Sequence, residues 1–368
     1  MDLDPTPDQA LLLESSARLV DEMLPLAKVR AIADGSSLDP GFVSRAADLG
    51  WFAMLVDEGY GGGSVSGDPV ADIALIARSR GARLLPEPFT ATNTVAALLG
   101  HSGSDEQRSS MLPVLASGEG TAAIPVAGDS LWGGTTLSAE PDGEELVLSG
   151  TVVIDDPRAR WLLLTMSIDG KDVQTLIEVD PGLQRRALNC LDVTRRLEEL
   201  TLDGVRVPRK VLIHGGVEHS RTVASVLTVA ESVGAMDRLF DLTRQYALDR
   251  IAFGRPIGSF QAIKHLLADV SLVVESSKAV LDASVRALSE GQTYASEVSS
   301  IAATYVGERA ARMAQDCLQV HGGIGFAWEH DLHLYLRRLT ANAALFGTTD
   351  FHRSRILRTH ADELQEAR

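Results

Sequence analysis

Two stretches of helical periodicity bracket one of strand texture, and that order restricts the chain to few architectures. Within residues 7–118, PDQALLLESSARLVDEMLPLA, FVSRAADLGWFAML and ADIALIARSRGARLL carry apolar residues three or four apart, the spacing that lines one face of a helix. A Gly-rich segment, DEGYGGGSVSGD at 57–68, interrupts them. Between about 119 and 212 the runs shorten to ELVLSGTVVI, RWLLLTMSI, VQTLIEVD and LEELTLDGVRV, punctuated by Gly, Pro and Asp; this is strand and turn chemistry. From about 218, long helical segments return, and four antiparallel helices would bury their apolar stripes. The expectation is an α+β protein with an N-terminal helical domain (1–118), a middle antiparallel β-domain (119–212) and a C-terminal four-helix bundle (213–368). No internal repeat or low-complexity stretch is present.

Charge narrows the function classes. The chain carries 50 acidic against 34 basic side chains, a formal charge of −16, which disfavours a polyanion-binding surface, so no nucleic-acid partner is expected. A local basic pocket for one phosphorylated ligand is compatible with that balance. Two cysteines, Cys190 and Cys317, stand far apart without metal-like spacing, so neither a disulfide framework nor a metal site is expected. The N-terminus is acidic and no segment holds the roughly 18 uninterrupted apolar residues of a membrane span. A cytoplasmic protein without membrane insertion is expected.

Three segments carry chemistry. The first, Arg250-Ile-Ala-Phe253-Gly254-Arg255-Pro256-Ile257-Gly258-Ser259-Phe260-Gln261, lies between two long helical runs. A guanidinium pairs bidentately with phosphate, an aromatic face covers an apolar ring, and Gln supplies amide donors. The second, Gln319-Val320-His321-Gly322-Gly323-Ile324-Gly325-Phe326, closes one helix and opens the next; its glycines permit positive φ and leave backbone amides free for phosphate oxygens. The third is Phe346-Gly347-Thr348-Thr349-Asp350-Phe351-His352-Arg353. Taken singly, a Gly-Pro turn and a Gly-rich helix cap explain the first two. Together and in this order, they resemble the R-x-x-F-G-x-P-I-x-x-F-Q, Q-x-x-G-G-x-G-F and E-G-T-x-x-x-x-R segments of the acyl-CoA dehydrogenases, and Asp203-Gly204-Val205-Arg206-Val207-Pro208 resembles that family's closing D-x-V-x-V-P strand.

The resemblance implies FAD as cofactor, contacted by Arg250, Phe253, Gln261, Gln319, Gly322, Gly323, Thr348 and Asp350. In the family the first loop reaches FAD held by a neighbouring subunit. The implied reaction is α,β-dehydrogenation of an acyl-CoA thioester, with electrons passing to electron-transfer flavoprotein or a similar acceptor.

The chain departs from the family where the catalytic glutamate is expected. That base usually precedes the Gly-Thr of the third segment, where Phe346 stands; its alternative place near the start of the first bundle helix falls on Ala224, beside Ser225 in place of the family arginine. The nearest replacement, Glu231, lies two turns further along the same helix, about 10 Å from the usual position at 1.5 Å per residue, and reads better as a buried packing or cofactor-facing carboxylate. Asp350 and Glu329 are further candidates. In the β-domain, Ile124–Ser130 and Val152-Val153-Ile154-Asp155-Asp156 replace the T-E-P-G-x-G-S-D and W-I-T segments that face isoalloxazine.

Three functions fit. The chain is an active acyl-CoA dehydrogenase with an unexpected base, or a non-catalytic subunit of an α2β2 dehydrogenase lending FAD contacts to its partner, or a flavin monooxygenase on the same scaffold. Fatty-acid or sterol catabolism and a homo- or hetero-tetramer accompany the first two.

Overall fold

A computed structural model describes residues 5–33, 38–126, 137–345 and 347–366. The N-terminal helices are α1 (Pro7–Met23), α2 (Leu26–Ala33), α3 (Pro40–Asp48), α4 (Pro69–Ala82), α5 (Phe89–Ser102) and α6 (Asp105–Ala116). Their starts are written in local chemistry. Thr6 and Ser104 each form a capping box with a Gln three residues on, and Asp68 caps α4 ahead of Pro69, so backbone N–H groups left open at helix starts are satisfied.

The middle region contains β1 (Ala122–Ala123), β2 (Ser138–Asp142), β3 (Glu145–Ile154), β4 (Trp161–Ile168), β5 (Lys171–Glu178), β6 (Gln184–Leu188), β7 (Leu197–Pro208) and β8 (Ile213–His214). They form two sheets of order β1-β4-β5-β8 and β2-β3-β7-β6. Leu146, Leu148 and Ile154 of β3 and Leu200 and Leu202 of β7 meet Leu162 and Leu164 of β4, the inward-facing half of a period-two pattern packed as a sandwich. Pairing is antiparallel throughout except β1, which lies parallel to β4; the helix-flanked approach of residues 117–122 delivers that short strand in the same direction as β4.

The C-terminal region holds α7 (Val217–Asp249), a hairpin of β9 (Ile251–Ala252) and β10 (Arg255–Pro256), then α8 (Gln261–Ser289), α9 (Ala295–His321), α10 (Leu332–Asn342) and α11 (Thr349–Glu366). Helix α7 is the axis of the molecule: nearly every residue from Ser220 to Met236 is buried, as expected of a helix covered on all sides. It packs against α8 and α9 on one side and α4 on the other. One apolar core therefore runs from Trp51, Phe52 and Phe89 through Val223, Val226 and Val233 to Val306, Met313 and Leu339. Helices α4 and α7 cross with their backbones touching: a Cβ on Gly81 would lie 1.9 Å from the Glu231 carbonyl oxygen, and one on Gly234 1.9 Å from that of Arg78. No helix among the described residues is long and apolar enough to cross a membrane.

Candidate functional site

The first and second segments meet at one end of the bundle. Arg250 caps α7, and its carbonyl accepts from the Ile257 amide at 2.8 Å, closing the loop. Between β9 and β10, Phe253 and Gly254 turn the chain with φ of +52° and +80°, a two-residue hairpin geometry that normally selects Asn-Gly. A bulky aromatic held at positive φ is costly, and this one is 96% exposed, so no burial within the chain compensates for it. Phe253 meets Phe260 edge-on at 6.2 Å, and Arg255 covers Phe260 at 4.2 Å. Gln261 is exposed on the first turn of α8, as is Gln319 on the last turn of α9. His321 stacks on Tyr246 at 4.2 Å, which ties the end of α9 to the end of α7. Gly322 follows at φ +63°, and nothing lies within 4 Å of a Cβ built on Gly323. The result is an exposed platform with the guanidiniums of Arg250 and Arg255, two amides, a projecting phenyl ring and open backbone, a donor set suited to a diphosphate and an aromatic ring.

The third segment lies elsewhere. Gly347 has φ +108°, Thr348 accepts from the Phe351 amide at 3.2 Å to start α11, and exposed Asp350 pairs with Arg353 at 3.1 Å. Phe346 lies outside the described residues. Thr349 abuts Gly307, twelve residues before Gln319 on α9, which places this segment about 18 Å from the platform at 1.5 Å per residue. Thr348 and Asp350 thus do not share a surface with Arg250, Phe253, Gln261, Gln319, Gly322 and Gly323 within one chain. Beside Gly347 a narrow crevice is lined by Ser225, Thr228, Ser232, Asn342 and His352.

Of the positions expected to hold a base, Ala224 is closed. Ala224 is 0% exposed and sits in a cluster with Ala91, Val95, Leu98, Ile124, Trp161 and Leu345. It does not line the crevice beside Gly347. Glu231 is tied through one oxygen: its Oε1 accepts from Arg338 Nη1 at 2.7 Å, Arg195 Nη2 at 2.8 Å and Asn342 Nδ2 at 3.3 Å. Burial raises its proton affinity, but Arg195, Arg338 and Arg80 outweigh it and hold the carboxyl at about 2, too acidic to remove a carbon-bound proton near neutral pH. Glu329 and Asp350 are both exposed. Of the flavin-facing departures, Ile124, Pro125 and Val126 are buried, and residues 127–130 lie outside the described residues.

Sequence reading did not find the polar centre of the molecule. Arg195, in the link between β6 and β7, bridges Glu87 (3.3 Å), Asp155 (3.1 Å), Asp192 (3.4 Å) and Glu231. Arg338 of α10 pairs with Asp192 and Glu231 and donates to the Leu84 and Leu85 carbonyls and to Thr194. These groups come from five separate segments, so no local spacing announces them. The one available signal was an unusual density of charged residues, RRLEEL and LRRL, inside otherwise apolar runs. Among the described residues, no group of three His, Cys, Asp or Glu is arranged to hold a metal ion.

Comparison with known proteins agrees with this architecture. Residues 6–119 match the model of the acyl-CoA dehydrogenase N-terminal domain and residues 216–360 that of the C-terminal domain. The chain belongs to the acyl-CoA dehydrogenase family, an oxidoreductase family. It is 29% identical over 342 residues to acyl-CoA dehydrogenase IpdE2 of Mycolicibacterium smegmatis, covering 92% of this chain and 94% of that protein. It is also 33% identical over 297 residues to acyl-CoA dehydrogenase FadE34 of Mycobacterium tuberculosis, covering 79% of this chain but 38% of that longer protein. Among solved structures, the ChsE4-ChsE5 complex from Mycobacterium tuberculosis superposes with a TM-score of 0.87 at 24% identity over 98% of this chain and 99% of that one. The Tcur3481-Tcur3483 steroid dehydrogenase variant gives 0.87 at 23% identity over 97% and 98%. At these identities the structural likeness establishes the fold.

Proposed function

We propose that the chain is the complementing, non-catalytic subunit of a heteromeric acyl-CoA dehydrogenase. It presents Arg250, Phe253, Gln261, Gln319, Gly322 and Gly323 to FAD seated in a homologous partner, and the partner supplies the base. The observation that carries this reading is the division within the chain: the platform is open and outward-facing, whereas Ala224 is packed in apolar side chains and Glu231 is locked to two arginines. When bound, FAD would supply the hydride acceptor of such a dehydrogenase, and the residues here would bind and orient its diphosphate end. Two structural neighbours, the ChsE4-ChsE5 complex and Tcur3481-Tcur3483, each pair two differently named chains, which supports a heteromer as the working state. Thr348 and Asp350, remote from the platform, would address a different cofactor molecule from the one the platform meets. The acyl-CoA substrate and an electron-transfer flavoprotein are assigned to the assembly as a whole.

Arg250→Ala tests the platform. Removing one charge-assisted phosphate contact, worth roughly 1.5–3 kcal/mol, is expected to weaken FAD retention by about 10- to 100-fold in the purified heteromer. Flavin absorbance per protein after dialysis measures it, and an unchanged ratio with unchanged FAD affinity would remove Arg250 from the site.

A further inference from the structure

The end of α5 meets the start of α7 through two histidines lying face to face. His101, in the last turn of α5, and His219, in the first turn of α7, have ring centroids 4.3 Å apart and planes inclined by 14°. The packing beside them sets that separation. A Cβ built on Gly216, the residue ahead of α7, would lie 2.2 Å from Leu98 Cδ1 and 3.1 Å from Ser102 Cβ, so the two helix ends touch with no side chain between them and hold the rings at stacking distance. The His101 ring is anchored in turn, its Nδ1 lying 2.7 Å from Ser102 Oγ. Leu98 of the same helix belongs with Ala91 and Val95 to the apolar cluster that encloses Ala224. The stacked pair therefore fastens the helix that covers that position.

We propose that the His101–His219 stack is an acid-sensitive fastening of α5 to α7: it holds while His219 is neutral, and protonation of that ring opposes folding.

The surroundings of His219 support that assignment. Two neutral imidazoles stack without penalty, and a neutral ring tolerates a cation on its face, whereas two imidazolium rings at this separation repel. His101 faces the ring from α5. On α7 the adjacent carboxylate, Glu218, is taken by Arg221 at 2.6 Å and by Arg355 at 2.8 Å, so it does not offset a charge on His219. Half-buried as it is, the imidazole is lowered by burial first, then by the His101 charge, from its ordinary 6.5 to about 4.

Because the unfolded chain binds this proton more tightly than the folded chain, the associated stability is complete above 6.5 and declines as pH falls towards 4. His219→Phe keeps an aromatic face against His101 without the titration. Urea unfolding of the full-length chain and of His219→Phe, at pH 7 and at pH 5, is the test. The ratio of folding constants, variant over wild type, is expected to be about tenfold larger at pH 5 than at pH 7, a figure discounted for the solvent that still reaches the ring. A ratio that is unchanged or smaller at pH 5 overturns the proposal. Should His219→Phe not fold, the ring-proton resonance of His219 in the wild-type chain, identified by its contact with His101, reads the same group. It is expected to keep its neutral position down to pH 5. Movement with a midpoint near the ordinary 6.5 overturns the proposal.

Discussion

Replacing Glu231 by Ala lowers the unfolding free energy by roughly 3–5 kcal/mol, the range for removing one member of a buried ion pair. The size follows from what is left behind. Arg195 and Arg338 both donate to Glu231 Oε1 and are both buried, so the truncation strands part of two desolvated cations as well as opening a cavity. Glu231→Gln, which keeps an acceptor oxygen without the charge, falls between wild type and Ala. Urea midpoints of the assembled protein give both values. Turnover per folded heteromer stays within a few-fold of wild type in Glu231→Gln, because a carboxyl held at about 2 by two guanidiniums is already spent on structure. A loss of several orders of magnitude with flavin retained would instead make Glu231 the base.

A second large effect is expected at the crossing of α4 and α7. Gly234→Ala places a methyl 1.9 Å from the Arg78 carbonyl oxygen, and Gly81→Ala places one at the same distance from that of Glu231. The obstruction is backbone on a buried helix, which cannot rotate aside, so the helices must separate. Each substitution is expected to cost roughly 3 kcal/mol or more, at the upper end of the overpacking range. Separation at Gly81 also withdraws Arg80 from the neighbourhood of Glu231 and Glu87, so that variant disturbs the charge lattice as well. Gly59→Ala is the matched control: nothing lies within 4 Å of its added methyl, and a change within about 0.5 kcal/mol is expected. Thermal or urea unfolding distinguishes the three.

Much of the fold was legible because it rests on local periodicity. The run ELVLSGTVVI is β3, residue for residue, since its alternation suits a half-buried strand and Gly150 accommodates the register shift beside Leu148. The long C-terminal segments are α7, α8 and α9 because their apolar spacing is helical. The parallel β1–β4 pair was not legible: two residues, Ala122 and Ala123, carry no pattern, and their direction is set by tertiary approach. The site was legible in composition but not in grouping. Spacing named Arg250, Gln319 and Thr348 alike, yet only the geometry of α9 puts the first two on one platform and the third about 18 Å away. The Arg195–Arg338 lattice left only the charged runs RRLEEL and LRRL as a mark, because it exists only when five segments converge.

The complementing-subunit reading is tested most directly by flavin absorbance and native mass of the chain purified alone, compared with the chain co-expressed with homologous dehydrogenase chains. Alone, it is expected to be colourless or substoichiometric in FAD, because the platform faces outward and Ala224 is packed in apolar side chains; with its partner it is expected to enter a yellow heteromer that is bleached by acyl-CoA. A yellow homo-oligomer of this chain alone, whose flavin is reduced by acyl-CoA, would contradict the division of labour and require a base in this chain.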